Sequence, residues 1–467
     1  MNALSSPRWA LASLSLSMLL SSLGTSIANV GLPTLAEAFD ASFQQVQWVV
    51  LAYLLAITTL IVSAGRLGDL IGRRRLLLAG IGLFTVASAL CSLAPTLGLL
   101  IAARTAQGFG AAIMMALTMA SVADAVPKAR AGSAMGLLGT MSAVGTALGP
   151  SLGGALIATF GWPFMFLVNV PLGVVAVWLV HRFLPVDAQR AKTDDARRPR
   201  FDHPGTLLLA LSLASYALAM TLGRGSFGLL NVALLGAALL GAGLFVWVES
   251  RVASPLIQLA MFRQPALGGG FAASALVTTV VMATLVVGPF YLSGALALDA
   301  AAIGLVMSTG PLVAALAGVP AGRAVDRFGP RRVGVTGLVA MAAGSAVLPW
   351  LATRFGVPGY IAPLAALTAG YALFQAANNT AVMQNIRADQ RGVAGGLINL
   401  SRNLGLITGA SVMGTVFALG SGAADLVTAQ PDAVAAGMRL TFAVATGLIL
   451  LALALQVRLR WREMARA

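Results

Sequence analysis

The segment Gly65-Arg-Leu-Gly-Asp-Leu-Ile-Gly-Arg-Arg-Arg75 occurs a second time in the same chain, as Gly322-Arg-Ala-Val-Asp-Arg-Phe-Gly-Pro-Arg-Arg332. Each copy stands between two long apolar runs, so each is a short charged connection between two helices. A second match pairs glycines, alanines and leucines of residues 132–154 with the same residue types 260 positions later, at residues 392–414. Self-similarity of this kind predicts two structurally related halves.

The amino-acid composition requires a lipid environment. The chain has 467 residues, of which 58% are hydrophobic and 10% charged, whereas a soluble globular protein carries about 25% charged residues. Fourteen apolar runs reach the length of about 20 residues that a helix needs to cross a bilayer. Transmembrane strands would be shorter and would alternate apolar with polar residues. The predicted fold class is therefore an all-α integral membrane protein with 14 transmembrane helices, arranged as two pseudo-symmetric six-helix bundles plus two intervening helices.

The positions of these runs predict four segments. Residues 1–184 form an N-terminal six-helix bundle, and residues 185–203 form a charged cytoplasmic linker. Residues 204–265 hold the two intervening helices and a loop, and residues 266–467 hold the C-terminal six-helix bundle and tail. We expect no cleavable signal peptide, because the first apolar run is too long for one.

The distribution of lysine and arginine predicts the orientation in the membrane. Of the 30 Lys and Arg residues, three fall on the outer side (Arg224, Arg354 and Arg439), two lie within spans (Arg104 and Arg402), and the other 25 fall on the inner side. Positive residues concentrate in cytoplasmic loops, so both termini are expected in the cytoplasm of a cell with a bacterial-type inner membrane. This distribution also explains the net charge of +15 without a nucleic-acid partner.

Several stretches resemble motifs of the major facilitator superfamily. The loop G-x-x-x-D-x-x-G-R-R-R is similar to its cytoplasmic signature. Residues 100–108 resemble its fourth-helix motif, residues 145–154 its antiporter motif of helix five, and residues 161–171 the start of helix six in drug/proton antiporters. Residues 201–205 and 255–263 resemble elements that flank the two additional helices of the fourteen-helix branch. The chain thus resembles the fourteen-helix drug/proton antiporter, or multidrug efflux, branch from end to end.

The resemblance implies a secondary active transporter that exports small organic molecules or drugs by alternating access coupled to protons. It implies no enzymatic activity, no cofactor and no metal. The expected partners are a small-molecule substrate, protons and membrane lipid, and the expected oligomeric state is a monomer. A membrane enzyme or sensor is the competing class, but the sequence contains no metal-ligand cluster, nucleophile motif or nucleotide-binding loop to support it.

In the family, the charged loop latches the cytoplasmic face shut. The resemblance therefore assigns a cytoplasmic gate to Gly65, Asp69, Gly72, Arg73, Asp326 and Arg331. Asp69 is expected to accept hydrogen bonds from nearby arginines or from a helix N-terminus. In the alternative interpretation, the arginines only anchor the loop at the lipid headgroups.

Glycines of the fifth span repeat every four residues and so share one helix face. They allow another helix to approach closely, and the neighbouring proline removes a backbone donor and bends the helix. We interpret the set as a closely packed hinge, with simple helix packing as the alternative. Its members are Gly145, Gly149, Pro150 and Gly153.

Polar residues inside apolar spans predict a substrate cavity, because a polar or charged group is costly at bilayer depth unless it faces a cavity or a partner. Interhelical hydrogen bonding is the alternative role. The candidates are Asn29, Arg104, Gln107, Gln375, Asn378, Asn379, Asn399, Arg402 and Asn403.

The first span departs from the family pattern at Gly24, where the drug/proton antiporter branch usually has an aspartate. None of the 15 Asp and Glu residues is predicted at mid-span, so the usual carboxylate proton carrier is missing. An organic-anion transporter, with the anion paired to Arg104 and Arg402, is therefore the alternative function.

Overall fold

The computed structural model describes residues 7–41, 43–185, 202–221, 228–252, 255–263, 265–298, 300–384, 386–387, 390–422 and 430–464. Most of the predicted linker, at residues 186–201, lies outside these ranges, as does Arg224. Within the described ranges, all regular elements are helices.

The helices follow one another along the chain with short connections. The first half contains α1 (Pro7–Val30), α2 (Leu32–Ala38), α3 (Phe43–Ile71), α4 (Arg73–Ser92), α5 (Leu97–Ala125), α6 (Ala131–Phe160), α7 (Pro163–Leu167) and α8 (Asn169–Phe183). The remainder contains α9 (His203–Thr221), α10 (Leu229–Glu249), α11 (Ala260–Arg263), α12 (Pro265–Gly294), α13 (Ala300–Met307), α14 (Thr309–Phe328), α15 (Pro330–Gln384), α16 (Arg391–Ser421) and α17 (Pro431–Met464).

The helix count agrees with the predicted fourteen spans. In the described part of the chain, 13 helical segments are long and apolar enough to cross a membrane. One of them, α15, has 55 residues and is interrupted at Gly356, whose φ of 60° and ψ of −133° are not helical. Because that kink divides α15 into two helices in succession, the 13 segments correspond to fourteen helices.

Large apolar side chains cover the outside of several helices. On α10, Leu229 is 87% exposed, Leu239 is 75% exposed and Leu240 is 72% exposed. Each exposed apolar Å² costs about 25 cal/mol in water, whereas hydrocarbon tails solvate such side chains well. Since helices satisfy their own backbone hydrogen bonds, they are suited to this solvent. The chain is a multi-pass membrane protein.

The chain divides into two compact units. The first contains Met1–Ala214, Ala237–Leu259 and Met383–Leu400, and the second contains Ser215–Gly236, Ala260–Val382 and Ser401–Ala467. Four helices (α9, α10, α15 and α16) therefore contribute residues to both units. In the first unit α1 packs on α6, and both α3 and α4 pack on α5, whereas α12 packs on α17 in the second.

The internal repeat appears as the same contact in each unit. In the first unit, the hydroxyl of Ser26 on α1 donates to the carbonyl oxygen of Gly145 on α6 at 3.3 Å. In the second, the hydroxyl of Thr279 on α12 donates to the carbonyl oxygen of Gly405 on α16 at 3.1 Å. Gly145 and Gly405 are the residues that the constant sequence offset pairs, so the repeat read from the sequence corresponds to a repeated helix contact.

Candidate functional site

The carboxylate of Asp69, near the end of α3, is bound from two directions. Asp69 is buried. Arg73 donates Nε and Nη2 to Oδ1 at 3.1 and 3.0 Å. From the start of α16, the N–H of Gly392 donates to Oδ1 at 3.0 Å and that of Val393 to Oδ2 at 3.1 Å. A helix N-terminus leaves four N–H groups without intrahelical partners and favours negative charge, so Asp69 serves as a cap for α16.

Glycines bring the backbones of α3 and α16 into contact beside this carboxylate. A Cβ added to Gly65 would lie 2.1 Å from the carbonyl oxygen of Gly392, and a Cβ added to Gly392 would lie 2.1 Å from that of Gly65. One turn further along α16, a Cβ on Gly396 would lie 2.6 Å from the carbonyl oxygen of Ile61. Side chains at these positions would push the helices apart and carry α16 out of reach of Asp69.

The turn after Asp69 positions the arginines. Gly72 has a φ of 105°, which side chains other than glycine rarely adopt, and it allows α4 to begin at Arg73 directly after α3 ends. Arg74 donates to the carbonyl oxygen of His181, one of the carbonyls that the C-terminus of α8 leaves without an intrahelical partner. The loop thus joins the ends of three helices.

The second copy of the loop shares the turn but not the environment of the acid. Gly329, with a φ of 82°, ends α14 as Gly72 ends α3. Asp326 and Arg331, in contrast, are exposed, whereas Asp69 is buried. The two acids that the sequence pairs therefore differ in burial.

Arg104 on α5 is fully buried in the first unit, with 0% of its surface exposed. It donates Nε to the carbonyl oxygen of Val49 at 2.9 Å and Nη2 to that of Gly24 at 3.2 Å. Nη1 donates to Oε1 of Gln107 at 2.5 Å. The guanidinium also lies over the Tyr53 ring, 4.1 Å from its centroid, an arrangement that stabilises a cation. Carbonyl dipoles and an aromatic face surround this charge, and it joins α1, α3 and α5.

The amide of Gln107 extends this network. Its Nε2 donates to the hydroxyl of Ser88 at 2.7 Å, and that hydroxyl donates to the carbonyl oxygen of Phe84 at 2.7 Å. The hydroxyl of Tyr53 in turn donates to the carbonyl oxygen of Ser21 at 2.9 Å. Arg104 and Gln107 were predicted from the sequence, but Tyr53 and Ser88 were not. A tyrosine or serine is common in an apolar span and does not by itself indicate a polar network.

The other polar candidates differ in burial. Asn29 is exposed, and its Nδ2 donates to the carbonyl oxygen of Thr25 at 3.4 Å. Asn399 is 0% exposed, and its Nδ2 donates to the carbonyl oxygen of Met115 at 3.2 Å. In the second unit Asn378 and Asn379 are buried, whereas three candidates are partly exposed, namely Gln375, Arg402 and Asn403.

The predicted hinge glycines line the face of α6 that contacts α1. A Cβ on Gly145 would lie 2.5 Å from the carbonyl oxygen of Leu19, and one on Gly149 would lie 2.9 Å from the backbone nitrogen of Ile27. A Cβ on Gly153 would meet side-chain atoms of Ile27 and Val30 at 2.9 Å. Pro150 lies within the same helix. These glycines allow backbone contact between the two helices.

A sequence profile of the Major Facilitator Superfamily matches residues 14–410 and 267–466. The chain belongs to this superfamily. Major facilitator proteins are transporters, so the chain is a transporter.

The chain is similar in sequence to several named transporters. The chain is 33% identical to the drug efflux pump JefA of Mycobacterium tuberculosis, over 85% of this chain and 78% of JefA. It is 30% identical to the riboflavin transporter RibZ of Clostridioides difficile, over 85% of this chain and 86% of RibZ. Similarity to drug efflux pumps confirms the resemblance to the drug/proton antiporter branch that the motifs indicated.

Solved major facilitator structures have the same fold. A bacterial homologue of the iron transporter ferroportin, crystallised in an outward-facing state, aligns with a TM-score of 0.67 at 15% identity. The alignment covers 97% of this chain and 99% of that one. This likeness shows the fold.

Proposed function

We propose that this transporter exports small organic molecules from the cytoplasm by alternating access in exchange for protons. The bond between Asp69 and the first turn of α16 is the observation that carries the proposal. Two backbone N–H groups of α16 bind one carboxylate of α3, and Arg73 binds the same carboxylate. Such a contact can form and break once per cycle, as a carrier that exposes its substrate site to one side at a time requires. Similarity to drug efflux pumps supports the class of substrate.

The same relatives and site support a second candidate, a carrier of neutral or anionic organic molecules. Gly24 replaces the acid that the branch usually has on the first span, and Arg104 is bound there by carbonyl oxygens. Among the described residues no carboxylate pairs with Arg104, and a buried cation of this kind leaves a positive potential in the low-dielectric interior of the first unit. That potential disfavours lipophilic cations. RibZ, named as a transporter of riboflavin, is a relative whose substrate is not a lipophilic cation.

Counterflow in proteoliposomes distinguishes the candidates. We expect exchange of neutral and anionic compounds, with ethidium-like cations exchanged more slowly. Transport of no compound in a panel of cationic, neutral and anionic molecules would contradict the proposed export. Robust exchange of cations by the unmodified protein would contradict the expected preference for neutral and anionic compounds. It would still show that the protein transports organic molecules.

The substitution Gly24→Asp tests the charge argument directly. A Cβ at this position would lie 2.9 Å from the hydroxyl oxygen of Tyr53, close to the guanidinium that bonds to the Gly24 carbonyl. A carboxylate there neutralises Arg104, an interaction of about 4 kcal/mol at 4 Å and an effective dielectric constant of 20. We expect the ratio of cation to anion exchange to rise about tenfold or more. Gly24→Asn, a substitution of similar size without charge, is the control and should leave the ratio unchanged.

The orientation is proposed from the arginine distribution. We place both termini in the cytoplasm of a cell with an inner membrane, because positive residues are retained on that side. Reporter fusions after Arg200 and after Arg466 should both give cytoplasmic signals. A periplasmic signal at either site would contradict the orientation or the even number of spans.

We also propose substrate contacts for polar residues that sequence analysis selected. In the second unit these are the partly exposed Gln375, Arg402 and Asn403, and in the first unit Asn29. The buried residues Arg104, Gln107 and Asn399 act through helix packing in the proposed mechanism, because their polar atoms bond to neighbouring helices. Asn378 and Asn379 are too buried to be assigned contact with a substrate.

A further inference from the structure

Two carboxyl groups are buried together at the start of α9 and the end of α10. Asp202 is 5% exposed and Glu249 is 4% exposed. A Cβ placed on Gly205 would lie 2.4 Å from Oδ2 of Asp202 and 2.6 Å from Oε1 of Glu249. Oδ2 of Asp202 and Oε1 of Glu249 therefore lie no more than 5.0 Å apart. Glycine at this position leaves the space in which they meet.

The hydrogen bonds around the pair leave one buried carboxyl oxygen without a donor. Glu249 accepts with both oxygens, from the N–H of Leu256 at 3.2 Å and from that of Ile257 at 3.4 Å. Asp202 accepts with Oδ1 from the N–H of Gly205 at 2.9 Å. Among the described residues, the buried Oδ2 of Asp202 has no hydrogen-bond partner. Between two ionised carboxylates there is no donor, and a single proton shared by the pair supplies one.

Charged groups near the pair do not replace that proton. Within the described residues, no Lys, Arg or His nitrogen forms an ion pair with Asp202 or Glu249. His203 and Arg251 are exposed, and the guanidinium of Arg251 lies 4.2 Å from the centroid of the Trp247 ring. Arg387 and Arg391 flank Gln390 and have other partners. The basic residues Arg197, Arg198 and Arg200 lie outside the described residues.

We propose that Asp202 and Glu249 form a proton-binding site, in which one proton is shared between Oδ2 of Asp202 and Oε1 of Glu249. Two carboxylates that share a dehydrated site retain one proton, because the second ionisation would place two negative charges side by side. The proton comes from water and returns to water, and only the O–H bond forms and breaks. This site is independent of which solute the protein carries.

The segment whose N–H groups bind Glu249, residues 256–257, is followed by a residue that contacts Gln390, just before α16. Gln258 follows Leu256 and Ile257, and its Oε1 accepts from Nε2 of Gln390 at 2.6 Å. Gln390 stands two residues before Gly392, whose N–H is bound by Asp69. Loss of the proton places two charges beside each other and loosens the Glu249 contacts. The segment around Gln258 then releases Gln390, so protonation at the pair stabilises the contact of α16 with Asp69.

Infrared spectroscopy and hydrogen exchange of the full-length protein in lipid nanodiscs test the site. The spectrum at neutral pH should contain a protonated carboxyl band, since unperturbed carboxyl groups, with pKa values of about 4, are ionised there. Asp202→Asn should remove the band, whereas Glu37→Gln, at an exposed carboxyl group, should retain it. A spectrum without the band in the unmodified protein would overturn the proposal.

Hydrogen exchange measures the consequence for the segment. After correction for intrinsic rates, amides of residues 255–258 should lose protection about tenfold or more as pH rises, the equivalent of one pK unit of coupling. Asp202→Asn supplies a permanent N–H donor in place of the proton and keeps the acceptor for Gly205. Its protection should therefore be independent of pH. Unchanged protection in the unmodified protein across the titration would contradict the proposal without reference to any variant.

Gln258→Ala separates the site from its connection to α16. In the unmodified protein, amides of residues 391–395 should lose protection over the same pH range as residues 255–258. In Gln258→Ala, residues 255–258 should still respond and residues 391–395 should not. If both segments respond in this variant, the connection through Gln390 is wrong while the proton site stands.

Discussion

Asp69→Asn is expected to release the first turn of α16 from α3 while leaving the helices folded. Asparagine keeps one acceptor oxygen but presents an amide group to the second backbone N–H, and it removes the charge that binds Arg73. A hydrogen bond to a charged group contributes about 1.5–3 kcal/mol, so the equilibrium between bound and released α16 should shift roughly 10- to 100-fold. We expect reduced turnover with substrate binding largely retained, because the substitution alters one conformational state and not the binding residues.

Counterflow rates, substrate binding and hydrogen exchange of residues 391–395 measure this effect. Asp326→Asn is the matched control, since Asp326 occupies the same position in the second copy but is exposed. It should change turnover by a much smaller factor. If Asp69→Asn transports as fast as the unmodified protein at equal expression, the loop acts only as a topology anchor.

Arg104→Met is expected to destabilise the first unit more than any other substitution at the polar candidates. The carbonyl oxygens of Val49 and Gly24 would keep their intrahelical donors but lose the guanidinium, and the amide oxygen of Gln107 would lose its donor. A hydrogen bond to a charged group contributes about 1.5–3 kcal/mol, and a buried acceptor left without a partner costs about 1–3 kcal/mol. Arg104→Lys should rescue little, because a single ammonium group does not reproduce the planar fork of donors.

Thermal unfolding in detergent and the yield of folded protein are the measurements for Arg104. Thr105→Ala, one residue along α5, removes a hydroxyl that bonds within the same helix and should have a small effect. If Arg104→Met retains the unmodified melting temperature but changes which compounds are exchanged, the guanidinium contacts substrate and does not hold the helices together.

Most of the helices could be predicted from the sequence because the length of an apolar run is a local property. The fourteen apolar runs could be counted directly in the sequence. The two helices of α15, which the kink at Gly356 separates, were among them as two runs. The sequence offset that pairs Gly145 with Gly405 predicted the similarity of the helix contacts within each unit. The helix boundaries at Val168 and Ser308, where the backbone dihedral angles stay helical, were not predicted, because no proline or glycine occupies either position.

The site was predictable in its residues and less so in its contacts. Asp69 stood out because an acid in a basic loop needs a partner, but nothing in the sequence shows that this partner is the start of α16, more than 300 residues later. Arg104 was noticed for its charge, and its carbonyl partners are invisible because every residue has a carbonyl. Asp202 and Glu249 were missed as a pair, since 46 residues separate them and each resembles an ordinary acid at a helix end.

The contact between Asp69 and α16 uses backbone N–H groups, and this has a consequence for mutational tolerance. A carboxylate that binds main-chain donors does not depend on the side chains that α16 presents there. In a saturation library selected for transport, position 69 should accept almost nothing, whereas position 393 should accept apolar residues of valine's size. Position 392 should remain glycine for a steric reason, since its neighbour across the contact is the backbone of Gly65. Two neighbouring positions at the start of α16 should therefore differ in tolerance, 393 accepting substitution and 392 rejecting it.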